Sequence, residues 1–222
     1  MVKAVLLDAL GTLVRLEPPG PRLRRTLHRH VGIDVDELAA ERGFHAEIAY
    51  YMANHMRGGD ADGLERLRND CAAVLHEALG VDGLGRPAVR AAMLESLKFT
   101  AFDDVVPALE QLRARGLTLV VVSNWDRSLP EALESAGIAG LIDATVSSAE
   151  VGVAKPDPAP VLAGLELAGV GPADALFVGD SLESDLEAAR AAGVRPVLVT
   201  RGAPAPAGVE AVDSLERLPS LL

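Results

Sequence analysis

Short apolar runs that alternate with helical patterns dominate the sequence from residue 100 onward, and a similar run stands near its start. The runs are Val2 to Leu7, Leu117 to Val122, Ala144 to Ser147, Ala175 to Val178 and Pro196 to Val199. This rhythm is typical of βα units, in which each helix crosses over to the next parallel strand. The sequence therefore predicts an α/β protein with one parallel sheet, whose first strand is separated along the chain from the others.

Helix-boundary signals agree with this reading. Ser128 to Glu131, "SLPE", has the form of a capping box, in which the serine hydroxyl caps the helix that follows, and Gly137 is a natural stop for that helix. Ser181 is predicted to cap another helix, which begins after the fourth apolar run.

The region between the first strand and residue 100 has a different pattern, with no convincing strand. Apolar residues there keep helical spacing, as in the series Leu64, Leu67, Cys71, Val74 and Ala78. We therefore divide the chain into a sheet core, 1–17 plus 101–222, and a helical insertion, 18–100. An insertion at this place lies beside the carboxyl end of the first strand, where ligands of open α/β sheets bind.

The acidic composition narrows the classes of partner. The 222-residue chain has 32 Asp and Glu against 21 Lys and Arg, a formal charge of −11, without a basic run. Such a charge repels nucleic acids and anionic membranes, so neither is expected as a partner. The sequence has neither a signal-peptide pattern nor the roughly 20 apolar residues that span a bilayer, which favours a cytoplasmic protein. Its single cysteine, Cys71, is expected to be a core residue, and no oligomeric state is indicated.

Two apolar runs end in residues that could act on an anionic substrate. Asp8 follows the first run and precedes Gly11 and Thr12, so it is placed to attack phosphorus or carbon, or else to cap a turn. Ser123 and Asn124 end the second run, where their hydroxyl and amide groups could hold an anion or serve ordinary turn chemistry.

Two further positions carry charged residues. Lys155, in "VAKPDP", could neutralise a phosphate or hold Asp8 ionised, although a solvated surface lysine is the simpler interpretation of that residue alone. Asp180 follows the fourth run, and Asp185 stands five residues later. Asp180 and Asp8 would suit Mg²⁺, which commonly takes one or two protein carboxylates, whereas the simpler interpretation is a helix start decorated with acids.

The four motifs together resemble those of the haloacid dehalogenase-like hydrolases. "DALGTL", "SNWD", "KPDP" and "GDSLESD" match the four family motifs in order, and the resemblance covers essentially the whole chain. It implies a Rossmann-like parallel-sheet core with an inserted helical cap at 18–100. It also implies a Mg²⁺ site formed by Asp8, the backbone carbonyl of Leu10, and Asp180, with Asp185 as a supporting acid.

The same resemblance assigns catalytic and substrate-binding roles. Asp8 looks like the nucleophile, which would form an aspartyl phosphate that water then hydrolyses. Ser123 would hydrogen-bond the transferred phosphoryl group, and Lys155 would offset its charge. Ala9, Leu10 and Asn124 would contact the substrate, a small phosphorylated molecule.

Leu10 departs from the pattern of the family's phosphatases. These enzymes usually have a second Asp at this position, which protonates the leaving group and activates water. General acid–base catalysis typically contributes about 10² to 10⁴ in rate, so the sequence predicts a preference for good leaving groups. The 2-haloacid dehalogenases, which lack this Asp and need no Mg²⁺, are an alternative. A third possibility is a catalytically idle member that binds a phosphorylated ligand or a partner protein.

Side chains of the insertion could select the substrate. Tyr51 and His55 stand one helical turn apart and could share a face over Asp8, although packing roles are the simpler interpretation. Trp125, next to the second motif, is expected to flank the substrate entrance.

Overall fold

The computed structural model describes residues 1–81 and 83–222. In this part of the chain, six parallel strands form the main sheet in the order β5-β4-β1-β6-β7-β8. They are β1 (Ala4–Leu7), β4 (Thr118–Ser123), β5 (Ala144–Ser147), β6 (Ala175–Gly179), β7 (Arg195–Val199) and β8 (Ala211–Val212). All five predicted runs form strands, which confirms the predicted α/β fold with a parallel sheet. The short strand β8 was not predicted.

Helices cover both faces of the sheet and fill the insertion. They are α1 (Pro19–Val31), α2 (Glu37–Asn54), α3 (Ala61–Leu79), α4 (Arg86–Ser96), α5 (Val105–Ala114), α6 (Leu129–Ser135), α7 (Ser148–Val151), α8 (Ala159–Ala168) and α9 (Glu187–Ala191). Among the described residues, no helix combines the length and the apolar character needed to cross a membrane.

The central strand β1 shows why the strands are apolar throughout. Val5 and Leu7 point into one hydrophobic cluster, which includes Leu109 of α5, and Leu6 points into the other, which includes Val161 of α8. Because the central strands of a parallel sheet are buried on both faces, the residues in the middle of such a strand are apolar. The polar residues that follow these strands therefore lie at the edge of the sheet, not within it.

The insertion has a hydrophobic core of its own. Helices α1 to α4 occupy the chain between residues 19 and 96 and share one buried cluster. Asp36 and Asp60 cap α2 and α3, since their carboxylates accept hydrogen bonds from the first turn. Gly43 lets α2 approach α3 closely, because a Cβ atom there would lie 2.8 Å from Leu75 Cδ1. The division at residues 17/18 and 100/101 stays a prediction.

A two-stranded antiparallel ribbon joins the insertion to the core. It pairs β2 (Val14–Leu16) with β3 (Phe99–Ala101) and so brings the two ends of the insertion together. The prediction that 18–100 contains no strand was wrong at its end, because β3 begins at Phe99. Three residues are too few to show the alternation that identifies a strand in sequence.

The predicted capping box at Ser128 was also wrong. Helix α6 does follow Ser128, but the serine hydroxyl makes no capping hydrogen bond. Instead, the Ser128 amide donates to Asp126 Oδ1 (2.7 Å), and the Glu131 carboxylate accepts a hydrogen bond from Arg68 of α3. The predicted cap at Ser181 is confirmed, because its hydroxyl accepts a hydrogen bond from the Ser184 amide.

Truncation of a buried residue of the insertion should destabilise the protein. We expect Leu75→Ala to lower the free energy of unfolding by about 2–5 kcal/mol, because this fully buried side chain packs in the insertion's hydrophobic cluster. Leu167→Ala is the control: that side chain is 58% exposed on α8, and its loss should change stability by less than about 0.5 kcal/mol. Urea denaturation measures both, and equal effects would contradict the described packing.

Candidate active site

The polar residues that follow adjacent strands meet at one edge of the sheet. Strand β1 lies between β4 and β6, so Asp8 lies between Ser123, at the end of β4, and Asp180, just after β6. Since all three strands run in the same direction, their carboxyl ends open into one crevice. The topology thus brings together residues that are more than 100 positions apart in the sequence.

A buried lysine connects the acids of this crevice. The Lys155 ammonium donates to Asp8 Oδ1 (2.7 Å), Asp185 Oδ1 (2.6 Å) and the Val122 carbonyl (2.8 Å), which uses all three of its protons. The Ser123 hydroxyl also donates to Asp8 Oδ1, at 3.0 Å. Lys155 is 4% exposed, so this ion pair network is shielded from water.

Burial and charge act in opposite directions on the pKa values of this network. Burial raises the pKa of the Asp8 carboxyl to about 7, although the Lys155 ammonium lowers it. Burial acts to lower the pKa of Lys155, but the Asp8 and Asp185 carboxylates outweigh it, so the pKa of the lysine is raised. The lysine therefore stays charged at neutral pH, while Asp8 needs further positive charge to be fully ionised.

Three carboxylates form a site that fits a small divalent cation. Asp8, Asp180 and Asp185 each place an oxygen within 4.8 Å of the others. Carboxylate oxygens are ligands that Mg²⁺ prefers. Asp185 Oδ2 accepts hydrogen bonds from the Asp180 and Ser181 amides (both 3.1 Å), so this residue is held by protein groups, whereas Asp180 is exposed toward the crevice. The pKa of Asp180 is raised by partial burial and by the neighbouring Asp185 charge.

A glycine keeps this carboxylate cluster open. Gly11 has a φ angle of +86°, and a Cβ atom there would lie 2.1 Å from Asp180 Oδ2. Only glycine meets both the backbone and the space requirements at this position. The space beside Asp180 is thus built into the turn that follows Asp8.

The Asn124 side chain fixes the backbone of Lys155. Its Oδ1 accepts a hydrogen bond from the Lys155 amide (2.8 Å), and its Nδ2 donates to the Lys155 carbonyl (2.9 Å). Both polar atoms of the side chain are therefore engaged with backbone. This geometry does not support the predicted substrate contact by the Asn124 amide, and we assign Asn124 to the positioning of Lys155.

The two residues after Asp8 differ in exposure. The side chain of Ala9 is fully buried in the core, and the predicted substrate contact at this residue stays a prediction. Leu10 is 42% exposed and faces the crevice, and it presents an apolar side chain there.

The insertion and the core enclose a cavity of about 660 Å³, which we call the cap cavity. Asp8, Ser123, Lys155, Asp180 and Asp185 lie at its core end. Its apolar wall consists of Leu16, Ile48, Met52, Leu67, Met93, Leu94, Leu97, Phe99 and Trp125.

The three aromatic residues singled out from the sequence have different positions. Tyr51 lines the cap cavity as predicted, and its hydroxyl accepts a long hydrogen bond from the Asp126 amide (3.5 Å). His55 is buried outside the cavity wall, which favours its packing role over a face shared with Tyr51. Trp125 is 5% exposed and packs edge-on against Phe99, which places it in the wall of the cavity and not at an open entrance.

Arg201 is a site residue that the sequence did not reveal. Its guanidinium donates to both oxygens of Asp104 (2.6 Å each) and to the Gly11 and Thr12 carbonyls in the turn after Asp8. It therefore fixes the turn that carries Leu10. No motif marks this residue, because its partners lie about 100 and 190 positions away.

Glu47 of α2 was also missed. It is 3% exposed, and it lines the cap cavity. Burial raises the pKa of its carboxyl to about 7, and hydrogen bonding by the Cys71 thiol lowers it by less. Helical spacing alone could have placed Glu47 on the buried face of α2, because Phe44 stands one turn before it.

Known proteins resemble this chain over most of its length. The family model for haloacid dehalogenase-like hydrolases matches residues 2–193. Haloacid dehalogenase-like hydrolase domain-containing protein 3 of Mus musculus is 32% identical over 96% of this chain and 88% of its own. Glyceraldehyde 3-phosphate phosphatase of Methanopyrus kandleri is 30% identical over 91% of this chain and 85% of its own. The structure of L-2-haloacid dehalogenase from Xanthobacter autotrophicus has a TM-score of 0.69 at 24% identity, covering 100% of this chain and 98% of that one.

The buried Glu47 carboxyl makes stability depend on pH. Its pKa rises from an ordinary 4.5 to about 7 on folding, so the folded protein holds this proton more tightly than the unfolded chain does. The associated stability is fully present below pH 4.5 and is lost as the pH rises through 7. Relative to Glu47→Gln, the native protein should therefore lose roughly 3 kcal/mol of stability between pH 4.5 and pH 8.

Urea denaturation of both proteins across this pH range measures the difference. Glu77→Gln, which removes an exposed glutamate of α3, is the control and should follow the native protein at every pH. A difference between native protein and Glu47→Gln that does not change with pH would contradict the assigned pKa.

Proposed function

The chain belongs to the haloacid dehalogenase-like hydrolases, and we propose that it hydrolyses phosphate monoesters of small metabolites with Mg²⁺ as its cofactor. One observation carries this proposal: the cluster of Asp8, Asp180 and Asp185, with space kept open by Gly11. A reaction that only displaces halide from carbon needs the nucleophile but not this second, exposed carboxylate. The named phosphatase relative from Methanopyrus kandleri supports the same choice.

In this proposal Asp8 is the nucleophile. Its carboxylate attacks phosphorus and forms an aspartyl phosphate, while the bond from phosphorus to the ester oxygen breaks and the leaving oxyanion takes a proton from solvent to give the alcohol. Water then attacks the phosphorus, so inorganic phosphate leaves and the Asp8 carboxylate is restored. The hydrogen bonds from Ser123 and Lys155 to Oδ1 hold the carboxylate in one orientation before attack.

Other residues of the site would hold the cofactor and balance charge. Asp8, Asp180 and the Leu10 carbonyl would bind Mg²⁺, and Asp185 would support them through its bonds to Lys155 and to the Asp180 amide. Bound Mg²⁺ would supply positive charge to the phosphoryl oxygens and keep Asp8 ionised. Lys155 adds a second fixed positive charge next to the same group.

Leu10 limits this chemistry to good leaving groups. Its side chain faces the cap cavity and offers no proton to a departing alcohol. Aryl and acyl phosphates release stable anions and need little protonation, whereas alkyl phosphates need it most.

A second candidate function is hydrolytic dehalogenation of 2-haloacids. The lack of an acidic residue at position 10 favours this second function, because halide leaves carbon as a stable anion and needs no proton. The exposed Asp180 carboxylate is the observation against it, since a carboxylate there repels the substrate's own carboxylate.

We expect the purified protein to hydrolyse an aryl phosphate only when Mg²⁺ is present. Asp8→Asn should lower kcat by at least about 10³-fold, because the amide cannot form the covalent intermediate. Asp103→Asn, at an exposed position outside the site, is the matched control and should retain full activity. Phosphate release in the presence and absence of EDTA measures this. Metal-independent hydrolysis of 2-chloropropionate in place of phosphate release would favour the second candidate.

The leaving-group preference gives a separate prediction. The native protein should turn over phenyl phosphate and acetyl phosphate much faster than an alkyl phosphate such as glycerol phosphate. Leu10→Asp should raise alkyl phosphate turnover by about 10²-fold, because it restores a proton donor beside the leaving group. Leu10→Asn introduces a side chain of the same shape as aspartate but without an ionisable group, and it should not raise alkyl phosphate turnover. Comparable native rates on aryl and alkyl esters would show that another group supplies the proton.

A further inference from the structure

Glu47 is a buried carboxyl without a charged partner. It is 3% exposed, it forms no ion pair among the described residues, and the neighbouring Cys71 thiol only partly offsets the effect of burial on the pKa of its carboxyl. A thiol is a weak hydrogen-bond donor, so it compensates little of the desolvation of a carboxylate. A carboxyl in this state can be stabilised either by a proton or by a cationic group that enters from the cap cavity.

The cap cavity has a strong excess of negative charge. Of the residues that the structure describes, six acidic ones line it against two basic ones. Both cations are already engaged: Lys155 binds Asp8 and Asp185, and Arg68 binds Glu131 at the boundary between α3 and α6. A ligand that fills this cavity therefore meets unpaired negative charge in the cap.

The two ends of the cavity have different chemistry. Asp8 and Asp180 lie at the core end, where the proposed function places the phosphoryl group and its metal ion. Glu47 lies on α2 of the insertion, and apolar side chains such as Met93 and Leu97 line the same cavity. A ligand that spans the cavity would thus have a phosphate at one end, an apolar middle and a group at the other end that faces Glu47.

We infer that Glu47 is a specificity-determining residue that binds a protonated amine of the substrate, so that the substrate class is the amine-bearing phosphate monoesters. This inference rests on the proposed function, because it takes the core end of the cavity as the phosphate site. A carboxylate–ammonium pair formed out of contact with water supplies the charge that Glu47 lacks. A substrate with a second carboxylate in place of the amine is repelled by the same residue.

Three aryl phosphates of nearly equal shape and leaving group test the inference: the 4-(aminomethyl)phenyl, 4-ethylphenyl and 4-(carboxymethyl)phenyl esters. In the native protein kcat/KM should be roughly 10- to 100-fold higher for the aminomethyl ester than for the ethyl ester, and lowest for the carboxymethyl ester. Glu47→Gln should abolish the preference for the amine and leave the ethyl ester within about 3-fold of native. The exposed glutamate variant Glu77→Gln is the control for general charge and should keep the preference.

Binding measurements separate this inference from the proposed function. Calorimetric titration with 4-(aminomethyl)benzylphosphonate and 4-ethylbenzylphosphonate, which cannot be hydrolysed, should give a lower Kd for the amine in the native protein and equal Kd values in Glu47→Gln. Hydrolysis of all three esters at equal rates would overturn the inference and leave the phosphatase proposal standing. If no ester is hydrolysed but the amine still binds more tightly through Glu47, the phosphatase proposal and the substrate class fail together, while the assignment of Glu47 as an amine-binding residue holds. Equal Kd values for the two phosphonates in the native protein, or binding of neither, would overturn the inference.

Discussion

The site depends on the two buried ion pairs that the Lys155 ammonium forms with Asp8 and Asp185. Transfer of a carboxylate from water into the protein interior is costly. Two buried carboxylates as close together as Asp8 and Asp185 would also repel each other without a cation between them. The lysine can play this part only if its own backbone is fixed, which its two backbone hydrogen bonds with the Asn124 side chain achieve. The second and third motifs therefore act as one unit: the turn after β4 fixes the lysine, and the lysine fixes the acids that follow β1 and β6.

The insertion is tied to this edge of the sheet at separate points. The β2–β3 ribbon joins its two ends, and the Gly58 carbonyl accepts a hydrogen bond from the Arg127 amide in the loop after β4. The contact there is close, because a Cβ atom at Gly58 would lie 2.6 Å from Asp126 Cβ. Cap and core thus share the wall of one cavity, so that a residue of α2 such as Glu47 can face a ligand held by Asp8.

The sequence predicts the sheet and its polar edge well, because both follow from local patterns. Continuous apolar runs can be buried only in a parallel sheet covered on both faces, and the polar residue that ends each run must then lie at its carboxyl edge. Predictions that depended on a single side chain were less accurate. Ser128 looks like a helix cap but does not act as one. Arg201 carries no local signal, and helical spacing could place Glu47 on a buried face but not in a cavity, because both roles depend on distant parts of the chain. Propensity describes a residue's own segment, whereas these roles depend on which segments the fold brings together.

Leu10 and Glu47 are opposite exceptions to the usual match between a side chain and the polarity of its surroundings. An apolar side chain stands at the polar core end of the cavity, where it removes a proton donor, and an ionisable side chain stands in the apolar cap, where it lowers stability at neutral pH. Proteins retain such unfavourable groups mainly where function requires them. A carboxyl that destabilises the empty protein becomes favourable once a cation lies against it, so the stability lost in the free enzyme becomes selectivity for the ligand that supplies the charge. In the proposed function, the core therefore sets the reactivity, whereas the insertion selects the substrate.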